Sequence, residues 1–226
     1  MRKTVSVIFM FAGILFAICL LISNILATKI ILIGSWAAPA GILIFPIAYI
    51  INDVIVEVWG YQKARLIIWS GFAVNILAVL FFTLAIVIPA APFWQNQNAF
   101  ATILGNTPRI ISASLLAYLT GSFLNAFIMS RVKVLMKGRD FSVRAILSTL
   151  VGETADSMIF ITIAFAGNLP ANVLIIMILT QALIKTAYEI VILPFTILIV
   201  RWIKKVEGID TYDESVSYNP FSFRQI

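Results

Sequence analysis

RAILSTLVGETADSMIFITIAFAG, residues 144–167, decides the fold. Its apolar run is long enough to cross a bilayer, which takes roughly 20 residues for a hydrocarbon core of about 30 Å. Yet Glu153 and Asp156 stand near its middle. A charge at the bilayer centre costs about 2.5–3.5 kcal/mol on insertion scales. Spaced i,i+3, the two carboxylates share one helix face. Such a face is tolerable in a membrane only when it turns inward, so the rest of the chain settles the reading.

The chain has 226 residues, is 62% hydrophobic and 12% charged, and has a mean hydropathy of +1.04. Soluble domains run at about 45–50% apolar and about 25% charged. This is the composition of an integral membrane protein. Six apolar segments reach spanning length: 5–27, 40–59, 66–90, 109–130, 144–166 and 171–202. No ten-residue alternation of a membrane barrel appears, so an all-α bundle of six transmembrane helices is expected over residues 1–205. Residues 206–226 form a polar tail. The first segment follows Arg2 and Lys3 but is too long for a signal peptide and lacks a small-x-small cleavage site, so it reads as a retained helix. No internal repeat is visible.

The formal charge of +6 has a membrane explanation. Apart from Lys29, Arg109 and Lys185, every Lys and Arg falls in the N-terminus, after the second segment, around the connection between the fourth and fifth, or at and beyond the end of the sixth. These are alternate connections, so both termini are expected on the cytoplasmic face. No basic stripe interleaves with aromatics, which argues against nucleic acid as a partner. Residues 91–108, polar, uncharged and capped by prolines, read as a lid or interfacial loop. The single cysteine, Cys19, excludes an intrachain disulfide. The absence of histidine removes the commonest general base and metal ligand. No metal, cofactor or catalytic residue is expected.

Asp53, Glu57, Glu153, Asp156 and Glu189 lie within the spanning segments, against one base, Lys185. Asp53 and Glu57 are i,i+4, as are Lys185 and Glu189, with Gln181 one turn earlier and Tyr188 beside them. Glu57 lies near Lys63 and Arg65 at a segment end, where an interfacial ion pair is the plain alternative to a ligand contact. For Glu153, Asp156 and Lys185 the plain alternative is a buried bridge between the fifth and sixth segments. The functional alternative is a polar central cavity, and a bridge can line one. Five acids and one lysine leave four negatives to be protonated, solvated or met by a substrate that donates hydrogen bonds. A carboxylate suits an amidine-like edge, such as the N1–H and 2-amino group of a guanine-type base. Asn24, Asn75 and Asn125 are buried candidates, either as ligand contacts or as interhelical glue. Asn125 continues a small-residue stripe, Ala113, Ala117, Gly121, along which another helix can approach.

Three blocks now carry a resemblance: FPIAYIINDVIVEVWGYQKARLIIWSGF (45–72), VGETADSMIFITIAFAG (151–167) and KKVEGIDTYDESVSYNPF (204–221). With SNILATKI (23–30) and QALIKTAYEIVILP (181–194), they resemble the queuosine precursor transporter family, also called vitamin uptake transporter-like. The resemblance runs from about residue 20 to 221. It implies a multi-pass protein of the bacterial inner membrane that imports 7-cyano-7-deazaguanine or 7-aminomethyl-7-deazaguanine. It also implies a helical arrangement similar to the substrate-binding components of energy-coupling-factor importers. The substrate positions it implies are Asp53, Glu57, Glu153, Asp156, Lys185 and Glu189. Lys185, Asn125 or Gln181 would serve O6, and Tyr188, Tyr118 or a Phe would stack on the ring.

The chain lacks a Gly-x-x-x-x-Gly-Lys-Ser/Thr phosphate loop, so it hydrolyses no ATP itself, while an external ATPase partner and a homo-oligomer stay open. Proton coupling and facilitated diffusion stay open too. The rival cargoes are another purine-like base or a vitamin. The rival class is an intramembrane acid–base enzyme using Asp53 with Glu153 or Asp156, and a scaffold protein is the third.

Overall fold

Residues 5–33, 36–105, 108–168 and 170–222 are described by a computed structural model. Helix α1 (Val7–Leu26) leads to a hairpin of β1 (Ile30–Ile33) and β2 (Trp36–Pro39), then a 3-10 turn at Ala40–Leu43. Helices α2 (Phe45–Trp59), α3 (Tyr61–Val87), α4 (Gln97–Leu104), α5 (Pro108–Leu135), α6 (Phe141–Phe165) and α7 (Ala171–Glu207) follow. The chain is thus an all-helical membrane bundle, with α1, α3, α5, α6 and α7 long and apolar enough to span. Large apolar side chains such as Leu80, Phe81, Ile176 and Val191 stay exposed along these helices, as a lipid-facing surface requires.

The second segment differs from expectation. Residues 40–59 are not one spanning helix, because α-helix begins only at Phe45, with Pro46 in its first turn. Its 15 residues rise about 22 Å, short of the bilayer core. Before it in the chain come the hairpin, paired from Ile30–Pro39 to Ile33–Trp36, and the 3-10 turn. Non-helical backbone at membrane depth has to be buried in protein. Ala40 and Gly41 are buried, and the Ser23 hydroxyl of α1 donates to the Gly41 carbonyl. Pro108 begins α5 and the loop before it holds α4, a helix that the polar reading of 91–108 did not anticipate. Gln97 of α4 donates to the Ile86 carbonyl at the end of α3 (2.8 Å).

α5 and α6 cross at glycines. A Cβ at Gly152 would lie 2.8 Å from the Asn125 Cβ and 2.9 Å from the Gly121 carbonyl oxygen. The stripe read from sequence is therefore buried at Ala113, Ala117 and Asn125, and Gly121 is the point of closest approach. Arg109, at the head of α5, donates to the carbonyls of Ile163 and Ala166 at the end of α6 (both 2.5 Å). This satisfies acceptors that a helix leaves open.

The start of α1 and the end of α7 meet at one end of the bundle, where the Ser6 hydroxyl donates to Glu207 (2.5 Å). At that same end the segment after α7 folds back across α2, α3 and α5. Asp213, 4% exposed, accepts from the Tyr61 N–H (2.8 Å) and the Ser130 hydroxyl (2.6 Å). It is the N-terminal acceptor of α3, supplied from about 150 residues away. Gly60, the single residue between α2 and α3, has φ +82°, and a Cβ there would meet Asp213 and Thr211. Arg65 donates to the carbonyls of Ser217 (3.2 Å) and Asn219 (2.9 Å), and the Trp69 indole donates to Pro220 (2.9 Å).

Candidate functional site

Buried charge collects in two places, and both lie on a face of α2 where Phe45, Tyr49, Asp53 and Glu57 follow at four-residue spacing. The first place is the bundle centre. Glu153 is the middle residue of α6, fully buried, and Asp156 is one turn on. Lys185 of α7 reaches both: its Nζ lies 2.7 Å from Glu153 Oε2 and 2.9 Å from Asp156 Oδ2. The contact to Asp156 is a directed hydrogen bond, whereas that to Glu153 is an ion contact off the hydrogen-bonding direction. The ammonium also sits 4.2 Å over the Phe45 ring. The bridge between the fifth and sixth predicted segments is therefore present.

Around it, buried polar atoms lack partners. Asp53, 1% exposed, lies next to Glu189 of α7 and Asn125 of α5, yet neither of its carboxyl oxygens has a hydrogen-bond partner. Two ionised carboxylates are acceptors only, so nothing joins this pair without a proton or a donor from outside. Glu153 Oε1, Glu189 Oε2, Ser157 Oγ, Thr186 Oγ1 and Tyr49 Oη are equally unmatched. Each such atom costs about 1–3 kcal/mol when nothing meets it. Four acids against one lysine give the centre an excess of acceptors that suits a donor-rich or cationic ligand.

The second place is the end of the bundle where the start of α1 meets the end of α7. Glu57 is fully buried between three cations. Arg144 of α6 grips both its oxygens, Lys204 of α7 lies at 2.6 Å and Lys133 of α5 at 3.6 Å. Asp210 in the tail accepts from Lys133 (2.5 Å) and lies 2.8 Å from Lys204. Burial alone would raise the Asp210 carboxyl, but hydrogen bonds from Lys133 and Lys204 hold it below the ordinary aspartate value. The interfacial ion pair weighed for Glu57 is thus real, but its partners are not Lys63 and Arg65. Lys63 lies over the Phe9 ring, and Arg65 holds the tail.

The remaining candidates divide. Asn125 Oδ1 accepts from Asn52 Nδ2 (2.7 Å) and its Nδ2 donates to Thr149 (3.4 Å), tying α2, α5 and α6 together. Asn24 donates to Asn75 (2.6 Å), joining α1 to α3. Tyr118 donates to the Ile68 carbonyl (2.7 Å), away from the centre. Gln181 and Tyr188 are half-buried on α7 on either side of Lys185. Sequence reasoning missed Phe45 and Tyr49, whose rings pack 5.4 Å apart beside Lys185. The signal was their four-residue spacing with Asp53 and Glu57. It also counted Lys133 and Arg144 as loop charges, although both are buried.

Two hollows on the described surface lie away from the centre: one of about 370 Å³ on the outer face of α6, and a groove of about 430 Å³ between Trp69, Phe123 and the tail. Among the described residues, no three His, Cys, Asp or Glu side chains gather in a metal-binding arrangement.

Residues 39–199 match the model of the family described as "Putative vitamin uptake transporter". A Bacillus subtilis (strain 168) protein named "Probable queuosine precursor transporter" is 27% identical over 174 residues, covering 76% of each chain. An Escherichia coli (strain K12) protein named "Queuosine precursor transporter" is 31% identical over 125 residues, covering 55% of this chain and 54% of that one. No solved structure matches. The matched region takes in α2, both carboxylates of α6 and Lys185 of α7, and a chain so matched belongs to the vitamin uptake transporter family of membrane transporters, with queuosine precursor transporters among its relatives.

Proposed function

We propose that this chain imports 7-deazaguanine precursors of queuosine, 7-cyano-7-deazaguanine or 7-aminomethyl-7-deazaguanine, through the bundle centre. One observation carries the reading: Lys185 bridges Glu153 and Asp156 at mid-helix, and a ring of buried acceptors around it has no partner. A guanine-type edge offers the N1–H and 2-amino donors that a carboxylate accepts in parallel. Asp156 or Glu153 takes that edge. Asp53 and Glu189 deepen the negative field, which an aminomethyl substituent would meet with its own charge. Gln181 and Tyr188 flank the site, and Asn125 shapes it by holding α2 against α5. Glu57 works at the end of the bundle, keeping four helices together.

The setting completes the proposal. The end where the start of α1 meets the end of α7 carries the Lys and Arg excess and faces the cytoplasm. The bilayer is the bacterial inner membrane. Residues 1–205 form the transport domain in an arrangement like that of energy-coupling-factor substrate-binding components, and residues 206–226 a cytoplasmic tail. The partners are the deazapurine and the lipid, with self-association and an ATPase partner as further arms to test.

The experiment is uptake in bacteria that can neither make nor import the precursor. This chain is expressed, each precursor is supplied at low concentration, and queuosine in tRNA is assayed. Wild type is run beside Asp156→Asn and Lys185→Met, with membrane levels matched. Rescue by wild type and loss in both variants is expected. Rescue by all three would move the site elsewhere. No rescue at full membrane level would point to another purine-like base or a vitamin.

A further inference from the structure

If the carboxylates of α6 take the donor edge of a guanine-type base, its exocyclic carbonyl still needs a donor. Lys185 no longer supplies one freely. It donates to Asp156, its charge is held against Glu153 at 2.7 Å, and a ring covers it at 4.2 Å. Asn125 is tied to Asn52 and Thr149. Gln181 is only half-buried, and of the unmatched buried hydroxyls, those of Ser157, Thr186 and Tyr49, that of Tyr49 shares the α5–α6 crossing with Asp156. The Tyr49 side chain is 3% exposed and its hydroxyl has no hydrogen-bond partner, Ser122 lying nearby without the geometry of a bond.

The hydroxyl is also aimed. A Cβ built on Gly121 would collide with it, and the same Cβ would lie 2.9 Å from the Asp156 Cβ and from the Gly152 carbonyl oxygen. Tyr49 Oη therefore stands at the α5–α6 crossing, against the residue proposed to grip the base, in room kept open by a missing side chain. An unmatched buried hydroxyl is a standing cost of about 1–3 kcal/mol, tolerated where a ligand is to meet it. Its ring is held by Phe45, 5.4 Å away, which rests on Lys185.

We propose that Tyr49 is a substrate-contacting residue that sets specificity. Its hydroxyl donates to the exocyclic carbonyl of a lactam-bearing heterocycle whose N–H edge lies on the α6 carboxylates. The inference rests on the import reading above and adds the residue that tells an oxo base from its isosteres. A 6-thio counterpart keeps the N1–H and 2-amino group but replaces the oxygen by a poor acceptor, so it isolates this contact.

The test uses the purified full chain in lipid nanodiscs. Binding of 7-cyano-7-deazaguanine and of 7-aminomethyl-7-deazaguanine is measured, each beside its 6-thio counterpart, for wild type and Tyr49→Phe, with the thermal midpoint of each unliganded protein. Wild type is expected to prefer the oxo ligand about tenfold, some 1.4 kcal/mol. Tyr49→Phe is expected to bind both alike, about tenfold more weakly than wild type binds the oxo form, with an unchanged or higher midpoint because the lost hydroxyl had no partner. Retention of the tenfold preference by Tyr49→Phe would overturn the assignment. So would a lower midpoint with both ligands weakened equally, the mark of a structural role. If wild type binds neither precursor, the import reading itself fails and this inference falls with it, whereas intact wild-type binding with an indifferent Tyr49→Phe removes the inference alone.

Discussion

Glu57→Gln is the most informative single substitution outside the bundle centre. In the wild type, Lys133, Arg144 and Lys204 surround Glu57, with Asp210 as the second acid, so the cluster carries one net positive charge. Glutamine keeps the size and one acceptor but doubles that charge and leaves Arg144, fully buried, without its carboxylate. Removing one partner of a buried pair costs about 3–5 kcal/mol. Lys204 is 23% exposed and is partly rehydrated, so the low end, about 3 kcal/mol, is the expectation. For a chain of this size that lowers the thermal midpoint by roughly 6–12 °C. Asp210→Asn is the internal control. Its side chain is 42% exposed and its contacts are solvent-screened, so it should cost under about 1 kcal/mol. Thermal unfolding of both variants in the same detergent decides. Equal midpoints for Glu57→Gln and wild type, or a larger loss for Asp210→Asn, would refute the view that Glu57 is the buried hub of this end.

Lys185→Met leaves Glu153 and Asp156 buried without a base. The double variant Lys185→Met with Asp156→Asn should therefore be more stable than the single, a non-additivity readable from thermal midpoints. Gly121→Ala places a Cβ 2.9 Å from both the Asp156 Cβ and the Gly152 carbonyl oxygen, forcing α5 from α6 at a cost of about 1–3 kcal/mol, measured by the same unfolding assay. Asp210 is held below the ordinary aspartate value, so its contribution is fully present above that value and is lost only as pH falls through the lower folded one. Limited proteolysis of residues 208–222 should be unchanged between pH 7 and pH 5 and increase only in stronger acid, below about pH 4. Release between pH 7 and 5 would contradict the Lys133–Asp210–Lys204 clasp.

Most of the bundle was legible because spanning segments announce themselves by length and composition. The small stripe ending at Asn125 foretold a close helix approach, though not that α6 makes it, and i,i+3 and i,i+4 spacing foretold which acids share a face. The broken second pass was not legible. Residues 40–44 are as apolar as the helix that follows, and only Pro46 hints that helix begins late. Partner choice was hidden as well. Positive-inside counting treats Lys133 and Arg144 as surface charges, whereas long side chains at helix ends turned inward to Glu57. Tyr49 was hidden too, because an aromatic residue in an apolar helix, one turn before Asp53, has the pattern of ordinary core.

The acceptor for the first turn of α3 has a temporal consequence. Helices α1 to α7 can enter the membrane one after another as they leave the ribosome, but Asp213 is made after all of them. Until then the Tyr61 N–H, the Ser130 hydroxyl and the Arg65 guanidinium wait for groups that do not yet exist. The junction of α2, α3 and α5 therefore cannot be completed before residue 213 is made. A nascent chain halted before residue 213 has all its spans yet lacks the bond that locks them, which gives membrane quality control a physical means of telling an unfinished transporter from a complete one.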